Sequence, residues 1–131
     1  MGKTVAEMVR EAEAKIEIWS AADAVKHSSD PDVVFVDLRD IRELWREGTI
    51  PHSFHAPRGM LEFWVDPESP YAKDIFKQPK KFVFFCAAGW RSALSTATVK
   101  EMGLDNVAHI DGGFSAWKAA GGPVAVTEKK S

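Results

Sequence analysis

Two short runs, VVFVDL at residues 33–38 and KFVFF at residues 81–85, constrain this chain more than any other feature. Each is apolar at nearly every position and rich in β-branched or aromatic residues, so neither leaves a polar face for water. Strands buried on both faces belong to a parallel sheet with helices over each side. The segments around them agree. Ile41, Leu44 and Trp45 share one face of a helix that Gly48 stops. Ala93, Leu94, Ala97 and Thr98 line a helix that starts near Ser92 and ends at Gly103. Gly112 and Gly113 turn the chain into a last helix, closed by Gly121, Gly122 and Pro123. Ser20 and Asp23 read as a capping-box variant opening a short helix to about His27. Further short strands fit residues 53–56 and 107–110, and DPESP splits the helical patches of residues 61–77. The expected fold is α/β: an open parallel sheet of about five strands with helices on both faces.

A chain of 131 residues corresponds to one ordinary domain, large enough for a core without staples. A formal net charge of -2 makes no electrostatic case for nucleic acid or an anionic membrane as partner. No apolar run reaches the roughly 18 residues of a membrane span, and the first ten residues lack the apolar core of a secretory signal, so the expected location is cytoplasmic. Val5, Met8, Val9, Ala12 and Ile16 form the stripe of an amphipathic helix. The expected organisation is an N-terminal helical extension (1–15), a domain over 16–126 and a frayed tail (127–131). The extension either packs on the domain or joins two copies into a homodimer.

Cys86 is the only cysteine, set in FFCAAGWRS. Alone, it can form neither an internal disulfide nor a cysteine-based zinc site, so its chemistry requires a partner thiol or a small molecule. It closes an apolar strand at the carboxyl edge, where open parallel sheets carry their reactive residues. The next helix begins just beyond, and its unpaired N–H groups and dipole favour an anion there. Small Ala87, Ala88 and Gly89 let the backbone N–H groups, on through Trp90 and Arg91 to Ser92, curl into an anion nest, with Arg91 adding fixed positive charge. A readily ionised thiolate is also a weaker nucleophile, so activation by itself gains little. The larger benefit is holding an oxyanion donor and then a second anionic sulfur.

Each residue has a plainer role available. A lone cysteine after an apolar strand is ordinarily an inert buried thiol. Ser92 is either an N-cap or a hydrogen-bond donor to the sulfur. Trp90 walls the substrate entrance or packs on a neighbouring subunit, and Arg58, just past a strand end, draws in an anionic donor or makes a surface salt bridge. Asp37 and Arg39 tie strand ends to the loop, with Glu43 the expected partner of Arg39. Trp45 and Trp117 sit on apolar stripes and are assigned to the core. His27, His52, His55 and His109 have no metal-ligand spacing, none is placed as a base for Cys86, and no motif calls for a metal or a cofactor.

From about Ile16 to Val124 the chain resembles the rhodanese-like single-domain sulfurtransferases. Asp37, Arg39, Glu43, Gly48, Ile50 and Pro51 match that family's Asp-x-Arg, Glu and Gly-His-Ile-Pro-Gly-Ala pattern, while Thr49 and His52 depart from it. CAAGWRS is similar to its active-site loop, HIDGGFSAW to its Gly-Gly-x-x-x-Trp signature at Gly112, Gly113 and Trp117, and HAPRGMLEF to the segment after its third strand. The resemblance implies catalysis by Cys86, which takes a sulfane sulfur from a donor such as thiosulfate, carries it as a persulfide and passes it to a thiol or cyanide. Two other readings stay open: a cysteine phosphatase or arsenate reductase of the same fold, and a non-catalytic module that binds a partner. Such phosphatases place five residues between Cys and Arg, and here there are four, Ala87 to Trp90.

Overall fold

The structure is a computed structural model and describes residues 2–129. Its elements run in the order α1 (Val5–Glu13), β1 (Glu17–Trp19), α2 (Ala21–Lys26), β2 (Val33–Asp37), α3 (Ile41–Glu47), β3 (Phe54–His55), α4 (Leu61–Val65), β4 (Lys81–Phe85), α5 (Trp90–Glu101), β5 (Val107–Ile110) and α6 (Gly113–Ala119). The five strands form one parallel sheet in the order β1-β5-β4-β2-β3. The apolar runs occupy its centre, as their two-sided burial requires. Phe82 and Phe84 of β4 join Val36, Leu61, Val65 and Val99 on one face, where α4 and α5 lie. Val83 and Phe85 join Ala24, Phe114 and Trp117 on the other, under α2 and α6. Each fully buried aliphatic or aromatic side chain stabilises by about 1.5–3 kcal/mol, so these central strands anchor everything attached to their ends.

Local signals set most boundaries. Ser20 Oγ accepts the Asp23 N–H and starts α2, and Asp40 with Glu43 forms a full capping box at the start of α3. Gly48, at φ 78°, ends α3. The edge strand β1 is a strand that no pattern announces, since its three residues are exposed or half-buried, and it is a strand through its register with β5, Glu17 to Ala108 and Trp19 to Ile110. The N-terminal helix correspondingly stops at Glu13, short of the Ile16 its apolar stripe reaches. It packs on its own chain, where Val9 and Ala12 are buried against Ala93 beside Ile16, Leu94 and Ala97. Trp117 is fully buried, with Nε1 donating to Pro123 O at 2.8 Å, but Trp45 is only half-buried, beneath the Lys129 ammonium at 5.2 Å. Ala125 pairs with Thr49, so order persists to the edge of the expected frayed tail, whose residues 130 and 131 lie outside the described residues, as does Met1 of the extension. Among the described residues no helix is long and apolar enough to cross a membrane.

One residue works against its backbone. His52 has φ 64°, the only positive φ outside glycine among the described residues, at the position where the resembling turn has glycine. Left-handed backbone costs an L-residue about 1–2 kcal/mol, while glycine adds freedom to the unfolded chain. We expect His52→Gly to stabilise the protein by about 0.5–1 kcal/mol, raising Tm by roughly 2–4 °C. Thermal unfolding of the two proteins side by side checks this, and an unchanged or lower Tm would refute the strain.

Candidate active site

After β2 the chain crosses outward to β3, and after β4 it crosses the other way to β5. The carboxyl ends of β2 and β4 therefore flank a topological switch point, where open α/β sheets leave a crevice. Cys86 follows β4 at this place, 1% exposed. The loop after it is anchored from below. Phe114 N–H donates to Cys86 O at 2.7 Å and Ser115 N–H to Ala87 O at 3.1 Å, so the first amides of α6 hold the loop carbonyls. This contact requires Gly113, since a Cβ there would lie 2.4 Å from Cys86 O and 2.7 Å from Ala87 O.

The sulfur sits in a small ring of donors. Gly89 N–H donates to Cys86 Sγ at 3.1 Å and Ser92 N–H at 3.4 Å. Gly89 reaches this position with φ 109°, which a side chain would oppose, and Gly112 N would be 3.3 Å from a Cβ there. Helix α5 begins at Trp90, two residues ahead of Ser92, with Gly89 as its N-cap. Ser92 is thus not the cap. It lies inside the first turn, fully buried, with Oγ 3.5 Å from Cys86 Sγ. Trp90 is 53% exposed beside the loop.

Arg91 points elsewhere than at the sulfur alone. Its guanidinium makes a bidentate pair with Glu43, at 2.8 and 3.0 Å. Glu43 Oε2 also accepts the Asp40 N–H at 3.1 Å, so one carboxylate caps α3 and holds the first turn of α5. The Arg91 hydrogen bonds keep the Glu43 carboxyl below the usual carboxylate range. They likewise raise Arg91 above its ordinary value, and proximity to Cys86 adds to this. The expected Arg39–Glu43 pair is therefore corrected, because α3 turns Glu43 toward α5. Arg39 instead lies fully buried with Asp37, donating from Nε at 3.0 Å and from NH2 at 2.9 Å, and to Gly48 O at 2.7 Å. Thr49 completes the Asp37 shell at 2.7 Å, and the Arg39 guanidinium lies 4.4 Å from the Phe114 ring centre.

Arg58 is exposed at the start of a 3-10 turn, where its side chain borders a groove formed with α1 and α5, including Met8, Ala12 and Leu94. Among the described residues it has no hydrogen bond to the cysteine loop. One buried neighbour was not assigned from spacing: His109 of β5, with Nδ1 3.0 Å from Ser92 Oγ. Burial pushes its pKa down, opposed by Asp111. Strand parity carries the signal for it, since His109 shares a face with Val107, the face covered by α5.

A model of the rhodanese-like domain family matches residues 20–120. The chain belongs to that family. The rhodanese-like fold is also that of a protein of unknown function from Rhodopseudomonas palustris CGA009, described as a possible tyrosine phosphatase. That protein is 54% identical with a TM-score of 0.93, over 95% of this chain and 96% of the other. The polysulfide-sulfur transferase homodimer of Wolinella succinogenes is 30% identical with a TM-score of 0.67, over 91% of this chain and 85% of that one. A tRNA uridine(34) hydroxylase of Erwinia tasmaniensis is 32% identical over 96 residues, which are 72% of this chain and 26% of the hydroxylase. The chain thus spans about a quarter of the length of the curated relatives it matches.

Proposed function

We propose that this rhodanese-like domain is a sulfurtransferase that moves a sulfane sulfur through a persulfide on Cys86. The observation that carries the reading is the ring around Cys86 Sγ, where two backbone N–H groups, at 3.1 and 3.4 Å, converge on the one sulfur atom. The Cys86 thiolate attacks the outer sulfur of a thiosulfate-type or polysulfide donor. An S–S bond forms as the bond to the donor's remainder breaks, and sulfite or the shortened polysulfide leaves with the electron pair. A thiol acceptor, as its thiolate, or cyanide then attacks that outer sulfur, and Cys86 departs as thiolate. Each step is a two-electron displacement at sulfur, so one cysteine suffices and no resolving thiol is required. In this reading the backbone of residues 87–92 stabilises the sulfur anion, and Arg91, shared with Glu43, supports the loop's shape as well as its charge.

The phosphatase reading draws on the description of the Rhodopseudomonas relative. Against it stands the length of the loop, which places four residues between Cys86 and Arg91 where such phosphatases place five, a tighter cup suited to a sulfur atom. The deciding experiment is intact mass before and after thiosulfate or polysulfide, then after cyanide, beside Cys86→Ser. We expect the wild type to gain one sulfur and lose it to cyanide while Cys86→Ser gains none. No gain with either donor, together with hydrolysis of an aryl phosphate, would replace this reading by the phosphatase one.

A further inference from the structure

Ser92 Oγ stands at the centre of three contacts, all buried: Cys86 Sγ at 3.5 Å, Gly89 O at 3.3 Å and His109 Nδ1 at 3.0 Å. A hydroxyl has one proton to donate and two lone pairs to accept with. The Gly89 carbonyl can only accept, so it competes with the sulfur for that proton. What the histidine does decides the balance. Its other nitrogen, Nε2, is buried without a hydrogen-bond partner among the described residues. An orphaned buried N–H is disfavoured more than an orphaned lone pair, so the ring proton belongs on Nδ1 and is donated to Ser92 Oγ. Burial keeps the ring neutral, in keeping with a single proton.

We propose that His109 is a positioning residue that holds Ser92 Oγ in place, so that its hydroxyl turns from the Gly89 carbonyl to the Cys86 sulfur whenever that sulfur becomes anionic. While Cys86 is a thiol, its S–H donates to Ser92 Oγ and the hydroxyl donates to Gly89 O. On ionisation the S–H proton leaves, and the freed lone pairs of sulfur take the hydroxyl proton as a third donor beside the two amides. In both states Nδ1–H occupies one Ser92 lone pair, which keeps the oxygen within reach of Sγ. The inference rests on the sulfur-transfer reading only in supposing that Cys86 works as an anion.

The test is the rate of Cys86 alkylation by iodoacetamide at neutral pH, which requires no sulfur donor. A wild type that takes up no sulfur would therefore count against the proposed function and leave this result intact. Losing one charge-assisted hydrogen bond lowers the thiolate population about tenfold, and the matching rise in nucleophilicity leaves a net slowing of about threefold. We expect that slowing in Ser92→Ala and in His109→Phe, with His109→Asn, which retains an amide where Nδ1 was, within about twofold of wild type. In the Ser92→Ala background, His109→Asn and His109→Phe are expected to change nothing further. Equal slowing in His109→Asn and His109→Phe would make the histidine mere packing and overturn the proposal. So would a wild-type rate in Ser92→Ala, a helix-compatible change that decides the matter should His109→Phe fail to fold.

Discussion

Gly113→Ala is expected to destabilise the protein by about 3–5 kcal/mol and to disable the cysteine loop. The added methyl would meet Cys86 O at 2.4 Å, Ala87 O at 2.7 Å and Ala87 C at 2.8 Å, all backbone atoms with no rotamer to yield. Either α6 or the loop must retreat, and both the Phe114 N–H to Cys86 O and the Ser115 N–H to Ala87 O bonds stretch or break. The φ of 61° at Gly113 adds strain for any side chain. Because β4 is held by buried Val83, Phe84 and Phe85, the loop beyond it moves first. Denaturant unfolding should show a lower midpoint with little change in slope, and Cys86 alkylation should change as the Gly89 and Ser92 donors shift. A loss under about 1 kcal/mol, with alkylation unchanged, would show that the turn accommodates a side chain and is not the loop's support.

Arg39→Met carries the second large effect. Asp37 and Arg39 are both fully buried, and the carboxylate has no access to water once its partner is gone. Breaking a buried ion pair from one side costs about 3–5 kcal/mol, whereas removing both charges is far milder. The double variant Asp37→Asn/Arg39→Met should therefore recover a large part of the lost stability, measured by denaturant midpoints across the four proteins of the cycle. Arg39→Lys should not rescue, because an ammonium cannot reproduce donation to two carboxylate oxygens and Gly48 O at once. Additive losses in the cycle would mean the pair is not coupled. The pair also bears on the site through the Arg39 guanidinium on Phe114, the residue whose amide holds Cys86 O.

What could be read from the chain alone was whatever depends on neighbours in sequence. Ser20 with Asp23 acts within three residues, so the start of α2 was legible, as was the stop of α3 at Gly48. The two-sided burial of β2 and β4 was legible because composition reports it directly, and with it came the parallel sheet and the position of Cys86 at its carboxyl edge. The small residues between that strand and the next helix marked a loop whose backbone could approach the sulfur, and the Gly89 and Ser92 amides are the two that donate to Sγ. Tertiary structure decided the rest, because the energy there comes from partners far along the chain. The three residues of β1 have no pattern of their own and are a strand only by pairing with β5. Charge and helical spacing pointed Glu43 to Arg39, and the approach of the first turns of α3 and α5 gave it to Arg91 instead, 48 residues away. His109 and Ser92 meet 17 residues apart because a parallel strand and its crossover helix share one face, which no spacing rule for helices or metal ligands encodes. Sequence specified the cysteine and the small residues of the loop after it, and packing between distant elements specified which charges and hydroxyls lie against them.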